Sequence, residues 1–133
     1  NIKRPSDKDL QFAIQQFNQS NYKTSEFYLK KVLVKSPDNK TSINLLPWTY
    51  FYQKRYDKAL KAFKRAKTYY PKKPETFIGM GWSYFGVKKY ERAVEQFNYA
   101  MTFNGDPYQI SKGKWFLSGK NQIKVMFFVF KIR

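Results

Sequence analysis

A repeat of 34 residues is the feature that most constrains how this chain can fold. Four residues recur at this spacing, as the pairs Tyr50 and Tyr84, Ala59 and Ala93, Phe63 and Phe97, and Ala66 and Ala100. A fixed period of this length indicates stacked supersecondary units. Three repeats fit, over residues 6–39, 40–73 and 74–107, inside a single domain that covers residues 1–133. We therefore expect function to lie in a surface rather than in a catalytic pocket.

Each repeat predicts two helices. In the second repeat, Ile43, Leu46 and Tyr50 have helical spacing, and apolar residues resume at the same spacing from Tyr56. Pro71 ends this second helix, because proline lacks the backbone N–H and clashes with the preceding turn. The sequence thus predicts three antiparallel helix pairs.

Small residues mark where the two helices of a repeat approach each other. Ala59 and Ala93 occupy this position in the second helices, beside Phe63 and Phe97. Gly81 is expected to play the same part in a first helix, at a propensity cost of about 1 kcal/mol relative to alanine.

This pattern resembles the tetratricopeptide repeat, whose signature is W-x2-L-G-x2-Y followed by A-x3-F, A and P. The matches in the second and third repeats are Leu46, Tyr50, Ala59, Phe63, Ala66, Pro71, Gly81, Tyr84, Ala93, Phe97 and Ala100. The first repeat is degenerate and keeps size and polarity at Phe12, Ala13, Ser25, Leu29, Val32 and Pro37. The departures are Gln16 at the tyrosine position, Ile43 and Phe77 at the tryptophan position, Pro47 at the glycine position and Gly105 at the proline position. The resemblance implies an all-α fold, a right-handed α-solenoid of three helix pairs.

Residues 108–133 do not continue the repeat. The segment is basic and hydrophobic, and a solenoid needs a cap over its last repeat. We expect a C-terminal capping segment here. Docking into the protein's own groove and self-association through this tail are the alternatives.

Composition restricts the chemistry. Twenty-six Lys and Arg against nine Asp and Glu leave a net charge of +17, which favours anionic partners. The alternative is a solvated basic surface with no such partner. The absence of cysteine and histidine removes thiol chemistry, the usual general base and the commonest metal ligand. We expect no catalytic residue, no cofactor, no metal and no small-molecule substrate.

The resemblance also implies a binding site, since the first helices of tetratricopeptide repeats line a concave groove that holds peptides. The corresponding positions here are Leu10, Ile14, Phe17, Asn44, Trp48, Phe51, Tyr52, Ile78, Trp82 and Phe85. Aromatic residues dominate the set, which suits the Leu, Phe or Pro side chains of a partner. The alternative is that these residues are core, packed between neighbouring repeats.

One family mechanism is not expected. The chaperone-binding subclass uses a clamp of Lys, Asn and Arg to hold a terminal carboxylate. The clamp positions here carry Leu10, Ile14, Leu45, Glu75 and Gly79, so the basic and amide side chains of the clamp are missing. Binding of the acidic tails of heat-shock chaperones is therefore not expected.

The sequence therefore predicts a non-catalytic scaffold or adaptor that binds a protein or peptide segment through an aromatic groove. The alternative is an electrostatic tether to an anionic membrane surface or nucleic acid, through the lysines of the second helices and the tail. No specific nucleic-acid-binding motif is present. A cytoplasmic location is favoured over an exported form that has lost a leader.

Overall fold

The computed structural model describes residues 5–103, and within this range all regular structure is helical. The six helices are α1 (Pro5–Asn18), α2 (Tyr22–Lys35), α3 (Lys40–Tyr52), α4 (Tyr56–Tyr69), α5 (Pro74–Gly86) and α6 (Tyr90–Thr102). The predicted all-α fold of three helix pairs is confirmed. The predicted cap over residues 108–133 lies outside the described residues.

Two compact units divide the chain, an N-terminal unit (Asn1–Arg65) and a C-terminal unit (Ala66–Arg133). In the N-terminal unit, α1 packs against α2 and α2 packs against α3. In the C-terminal unit, α5 packs against α6. The prediction of one domain with three repeats stays a prediction.

The turn inside each helix pair has the same backbone geometry. Ser20, Lys54 and Lys88 occupy equivalent positions and have φ angles of 64°, 61° and 65°. In the middle turn, the amide of Lys54 donates to the carbonyl of Phe51 and the amide of Arg55 donates to the carbonyl of Tyr50, both at 2.9 Å. These bonds satisfy carbonyl groups that the end of α3 leaves without helical partners. A left-handed residue that is not glycine therefore closes all three pairs.

Small side chains allow close helix contact, as the sequence predicts. Ala59 and Ala93 are completely buried. At the equivalent position Ser25 is also buried, and its hydroxyl donates a hydrogen bond of 2.8 Å to the carbonyl of Ala13. The serine thus keeps the required size and satisfies its polar atom across the α1–α2 interface.

Helix α3 continues without interruption through Pro47, which is buried. Its N-terminus is capped by Asn39, whose side-chain oxygen accepts a hydrogen bond of 2.9 Å from the amide of Ser42. This helix carries three of the six aromatic residues that the sequence places in the groove, Trp48, Phe51 and Tyr52.

Candidate functional site

Five aromatic side chains form a continuous surface on the N-terminal unit. We call it the aromatic surface; its members are Phe17, Tyr22, Trp48, Phe51 and Tyr52. The rings of Tyr22 and Tyr52 are stacked, with centroids 4.7 Å apart and an interplanar angle of 20°. Phe17 meets both rings edge-on, at 5.2 Å from Tyr22 and 5.9 Å from Tyr52. This arrangement joins α1, α2 and α3.

Trp48 connects the aromatic surface to the core. Its ring lies 6.1 Å from Tyr52 and 5.6 Å from Phe51. On its other side it packs edge-on against Phe63, at 5.1 Å, and Phe63 is almost completely buried. The surface is therefore supported by residues that also hold the fold together.

Tyr52 is the most accessible member of this surface. It is 48% exposed, whereas the other four residues are half-buried. Burial of part of its ring, with a smaller contribution from Tyr22, raises the pKa of Tyr52 above its usual value. The phenol therefore stays protonated at neutral pH and can donate a hydrogen bond.

The C-terminal unit repeats part of this arrangement. Trp82 lies 5.8 Å from Phe85 and 5.5 Å from the buried ring of Phe97. Phe85 meets Tyr90 at 5.8 Å, the same distance that separates Phe51 and Tyr56 in the preceding repeat. The 34-residue period thus extends from the sequence to the packing of surface aromatics.

The other predicted groove residues fall into three environments. Leu10 and Ile14 are half-buried on α1. Asn44 donates from its amide nitrogen to the carbonyl of Lys40 at 3.0 Å. Ile78 is only 6% exposed, so it offers little surface to a partner. The predicted groove residues that belong to the aromatic surface are Phe17, Trp48, Phe51 and Tyr52.

The sequence-based set omits Tyr22, the member of the aromatic surface that stacks on Tyr52. A signal for it exists in the sequence. Tyr22, Tyr56 and Tyr90 are separated by the repeat period, and each begins the second helix of its pair.

A second feature that the sequence does not reveal is a buried carboxylate at Glu26 on α2. One of its oxygens accepts hydrogen bonds from Gln53 at 2.9 Å and from Arg55 at 2.8 Å. The other oxygen lies 2.9 Å from the ammonium of Lys30. Gln53 and Arg55 follow α3, so Glu26 links the second helix of one repeat to the end of the first helix of the next.

Opposing effects set the pKa of Glu26. Burial raises it, but the hydrogen bonds from Gln53 and Lys30 lower it, as do the charges of Lys30 and Arg55. The net result is a pKa below the ordinary value, so the carboxylate is charged at neutral pH. The hydrogen bond to Glu26 in turn raises the pKa of Lys30.

Within the described residues, basic side chains lie mainly on the second helices, where the sequence analysis places them, and on the turns. The exposed ones on these elements are Lys23, Lys30, Lys31, Lys35, Lys54, Lys58, Lys61, Lys64, Arg65, Lys67, Lys72, Lys88, Lys89 and Arg92. Lys73 is half-buried. Lys30 is paired with Glu26 at 2.9 Å, and Lys31 lies 3.8 Å from a carboxylate oxygen of Asp9.

Two further observations concern metal binding and membrane spanning. Over residues 5–103, no acidic, histidine or cysteine side chains gather in a group of three that could hold a metal ion. Within the same range, no helix is both long enough and apolar enough to cross a membrane.

Comparison with known proteins places this geometry in a family context. The family model described as "Anaphase-promoting complex, cyclosome, subunit 3" matches residues 18–100. The chain is similar in structure to the Sgt2 TPR domain from Aspergillus fumigatus, with a TM-score of 0.78 and 17% identity over 90% of this chain and 81% of that one. It is similar also to MamA from Desulfovibrio magneticus RS-1, with a TM-score of 0.82 and 16% identity over 96% of this chain and 73% of that one. No curated protein sequence matches the chain significantly. At these identities, the structural likeness shows the fold.

Proposed function

This chain belongs to the tetratricopeptide-repeat family whose model is described as anaphase-promoting complex, cyclosome, subunit 3, and from that premise we propose that it is a non-catalytic protein-binding scaffold. Its site is the aromatic surface of the N-terminal unit. The observation that carries this proposal is the partly exposed stack of Tyr52 on Tyr22, with Phe17 and Trp48 around it.

The chemistry of the aromatic surface favours an apolar partner segment. None of its five members is charged, and their rings are held against one another and against the buried Phe63. Little side-chain entropy is then lost on binding, because the rings are already ordered. Rigid Tyr and Trp side chains of this kind are the usual anchors of protein interfaces.

The partner side chains that fit best are those of Leu, Phe and Pro. They can lie on the exposed face of Tyr52, while the Tyr52 hydroxyl donates to a backbone carbonyl of the bound segment. In the C-terminal unit, Trp82 and Phe85 offer a smaller surface of the same kind. We propose it as a second contact for the same class of ligand.

The experiment that tests this function is selection of binders from a displayed peptide library against the full chain. Selected peptides should be rich in Leu, Phe or Pro, and they should shift the tryptophan fluorescence of the chain. Their binding should be lost in Tyr52→Ala and kept in Tyr69→Ala, a matched control because Tyr69 is 45% exposed on α4. Selected peptides that bind all three proteins equally would exclude the aromatic surface.

Tyr52 is a better position for this test than either tryptophan of the two units. Replacing Trp48 and Trp82 would disturb the fold as well as binding, because each ring packs on a buried phenylalanine. The ring of Tyr52 instead contacts Phe17, Tyr22, Trp48 and Phe51, which are all half-buried.

A second candidate function is the electrostatic tether. It is favoured by α4, where the exposed Lys58, Lys61, Lys64, Arg65 and Lys67 accompany a single acidic residue, Asp57. Binding of this kind releases counterions and falls steeply with salt. Anionic vesicles and single-stranded RNA are the probes. Binding that survives high salt, or that Lys61→Glu with Lys64→Glu leaves unchanged, would rule this candidate out.

A further inference from the structure

The turn between α4 and α5 has a lysine at a position where the preceding repeat has a helix cap. Helix α3 is capped by the side chain of Asn39, and the residue one period later is Lys73, which precedes α5 and makes no side-chain hydrogen bond to it. The two residues share an extended backbone, with ψ angles of 113° and 111°. An asparagine at position 73 can therefore make the same bond, which stabilises a helix. The stability of the fold is thus not the reason for a lysine here.

Lys73 belongs to a stretch of the chain that carries positive charge alone. The residues from Lys58 to Pro74 include seven Lys and Arg and no Asp or Glu. In the turn between α2 and α3, the positions equivalent to Lys72 and Lys73 are Asp38 and Asn39. The positive charge is therefore a property of the α4–α5 turn and not of the repeat.

Two tyrosine rings accompany these charges. Tyr69 ends α4 and Tyr70 follows it, with ring centroids 6.3 Å apart and an interplanar angle of 36°. Tyr69 is 45% exposed, and Tyr70 is half-buried. The equivalent residues between α2 and α3 are Lys35 and Ser36. Of these two turns, only the α4–α5 turn therefore presents aromatic rings.

Local contacts hold the side chains of this turn in place. Pro71 has a fixed φ angle, and the amide of Lys73 donates to the carbonyl of Tyr70 at 3.4 Å across the turn. The ammonium of Lys67 lies 6.0 Å from the centroid of the Phe77 ring, a distance at which a cation is attracted to an aromatic face. Groups that are already ordered lose little entropy when a ligand binds.

We call this site the basic turn; its members are Lys67, Tyr69, Tyr70, Lys72 and Lys73, all in the C-terminal unit. Within residues 5–103, none of its three lysines forms an ion pair with a carboxylate. A matching ligand carries several negative charges and a flat ring that can stack on a tyrosine. Unpaired nucleotides have both, because every base has a π-face and every phosphate is negative.

We propose that the basic turn binds single-stranded nucleic acid. A base stacks on the exposed face of Tyr69, and the three lysines contact neighbouring phosphates. The proposal rests on the second candidate function, whose cations lie on α4, and it names the partner and the contact residues. An anionic membrane fits less well, because interfacial binding grows with the apolar area inserted and residues 56–86 expose one large hydrophobic side chain, that of Tyr69.

The first test is the affinity of the full chain for a fluorescent uridine oligomer of about ten nucleotides, measured by anisotropy over a range of salt concentrations. Tyr69→Ala should weaken binding by about ten-fold at every salt concentration, because it removes a stacked base and no charge. Tyr69→Phe keeps the ring and should bind as the unmodified chain does. Phe27→Ala, which removes a ring that is 63% exposed on α2, is the control and should change nothing. Equal binding by all four proteins overturns the proposal.

The second test measures the charges separately from the ring. For a single strand, the logarithm of affinity falls against the logarithm of salt with a slope of about 0.7 for each phosphate contact. Lys72→Gln and Lys73→Asn should each reduce this slope by about 0.7, whereas Tyr69→Ala should leave it unchanged. Lys73→Asn should also raise the melting temperature, because asparagine provides the missing cap. Weaker binding by a more stable protein supports a direct contact, and a slope that neither lysine variant changes overturns the proposal.

Two further probes separate this proposal from the general tether. They are a hairpin of G·C pairs, whose bases are already stacked, and vesicles that contain phosphatidylserine. Tyr69→Ala should leave binding of both unchanged. If it weakens binding of the oligomer, the hairpin and the vesicles alike, the ring is not a platform for bases, so the proposal is overturned while the tether stands. If no probe binds in a salt-dependent way, both are overturned. Tyr69→Ala is still expected to bind the apolar peptide, since the aromatic surface and the basic turn share no residue.

Discussion

Gly81 on α5 lies directly against the ring of Phe97 on α6. A Cβ atom at Gly81 would be 2.8 Å from both the Cε1 and the Cζ atoms of that ring. The Phe97 side chain is completely buried and also packs against Trp82, so the ring has little freedom to move aside. The close approach of these two helices thus depends on the absence of a single methyl group.

This contact predicts that Gly81→Ala destabilises the fold. Overpacking of a buried site costs about 1–3 kcal/mol, and the better helix propensity of alanine returns about 1 kcal/mol of it. We expect the free energy of unfolding, measured with urea, to fall. Adding Phe97→Leu should remove the clash, so the effects of the two substitutions should not be additive. Additive losses in this double-mutant cycle would show that the methyl group does not meet the ring.

The positive φ angles in the turns predict that glycine at these positions stabilises the fold. Lys54 and Lys88 adopt positive φ angles, which cost a non-glycine residue about 1 kcal/mol or more. Lys54→Gly and Lys88→Gly should therefore each raise the free energy of unfolding by roughly 0.5–1 kcal/mol. Lys61→Gly, at an exposed position inside α4, should lower it by about 1 kcal/mol. A loss of stability at all three sites would contradict the left-handed geometry.

The linkage between Glu26 and its partners predicts a dependence on pH. The pKa of Glu26 is lower in the folded chain than its ordinary value of 4.5. The charged carboxylate therefore stabilises the fold above pH 4.5, and this contribution is lost as the pH falls through the lowered pKa. Unfolding should be followed between neutral and acid pH for the unmodified chain and for Glu26→Gln.

The Glu26→Gln variant should be less stable at neutral pH by about 1–3 kcal/mol, because hydrogen bonds to a charged acceptor are replaced by weaker ones. It should also lose less stability than the unmodified chain in the acid range. Parallel stability profiles for the two proteins would mean that Glu26 does not titrate differently in the folded state.

Much of the fold could be predicted from the sequence because the repeat makes each position appear more than once. Ala59 and Ala93 identify the helix contact, and Gly81 identifies a closer one, which the 2.8 Å distance to Phe97 confirms. The hydroxyl of Ser25 shows how a degenerate repeat keeps the same packing, since its bond to Ala13 satisfies the polar atom.

The site was harder to predict, for physical reasons. Period and spacing identify which residues share a helix face, but they do not give the depth of burial, so Ile78 was grouped with Tyr52 although it is 6% exposed. The repeat pattern does not predict the Glu26 network, because the equivalent positions in the later repeats are Leu60 and Val94. Tyr22 is not among the predicted groove residues because it begins a second helix, whereas the family's groove positions lie on first helices.

The most direct test of the proposed function is the affinity of one selected apolar peptide for three proteins, the unmodified chain, Tyr52→Ala and Tyr69→Ala. Affinity should be measured by titration at low and at high salt. Loss of an aromatic anchor is expected to weaken binding by about ten-fold or more in Tyr52→Ala, with no change in Tyr69→Ala and little dependence on salt. Equal weakening in both variants, or an affinity that falls steeply with salt, would contradict binding through the aromatic surface.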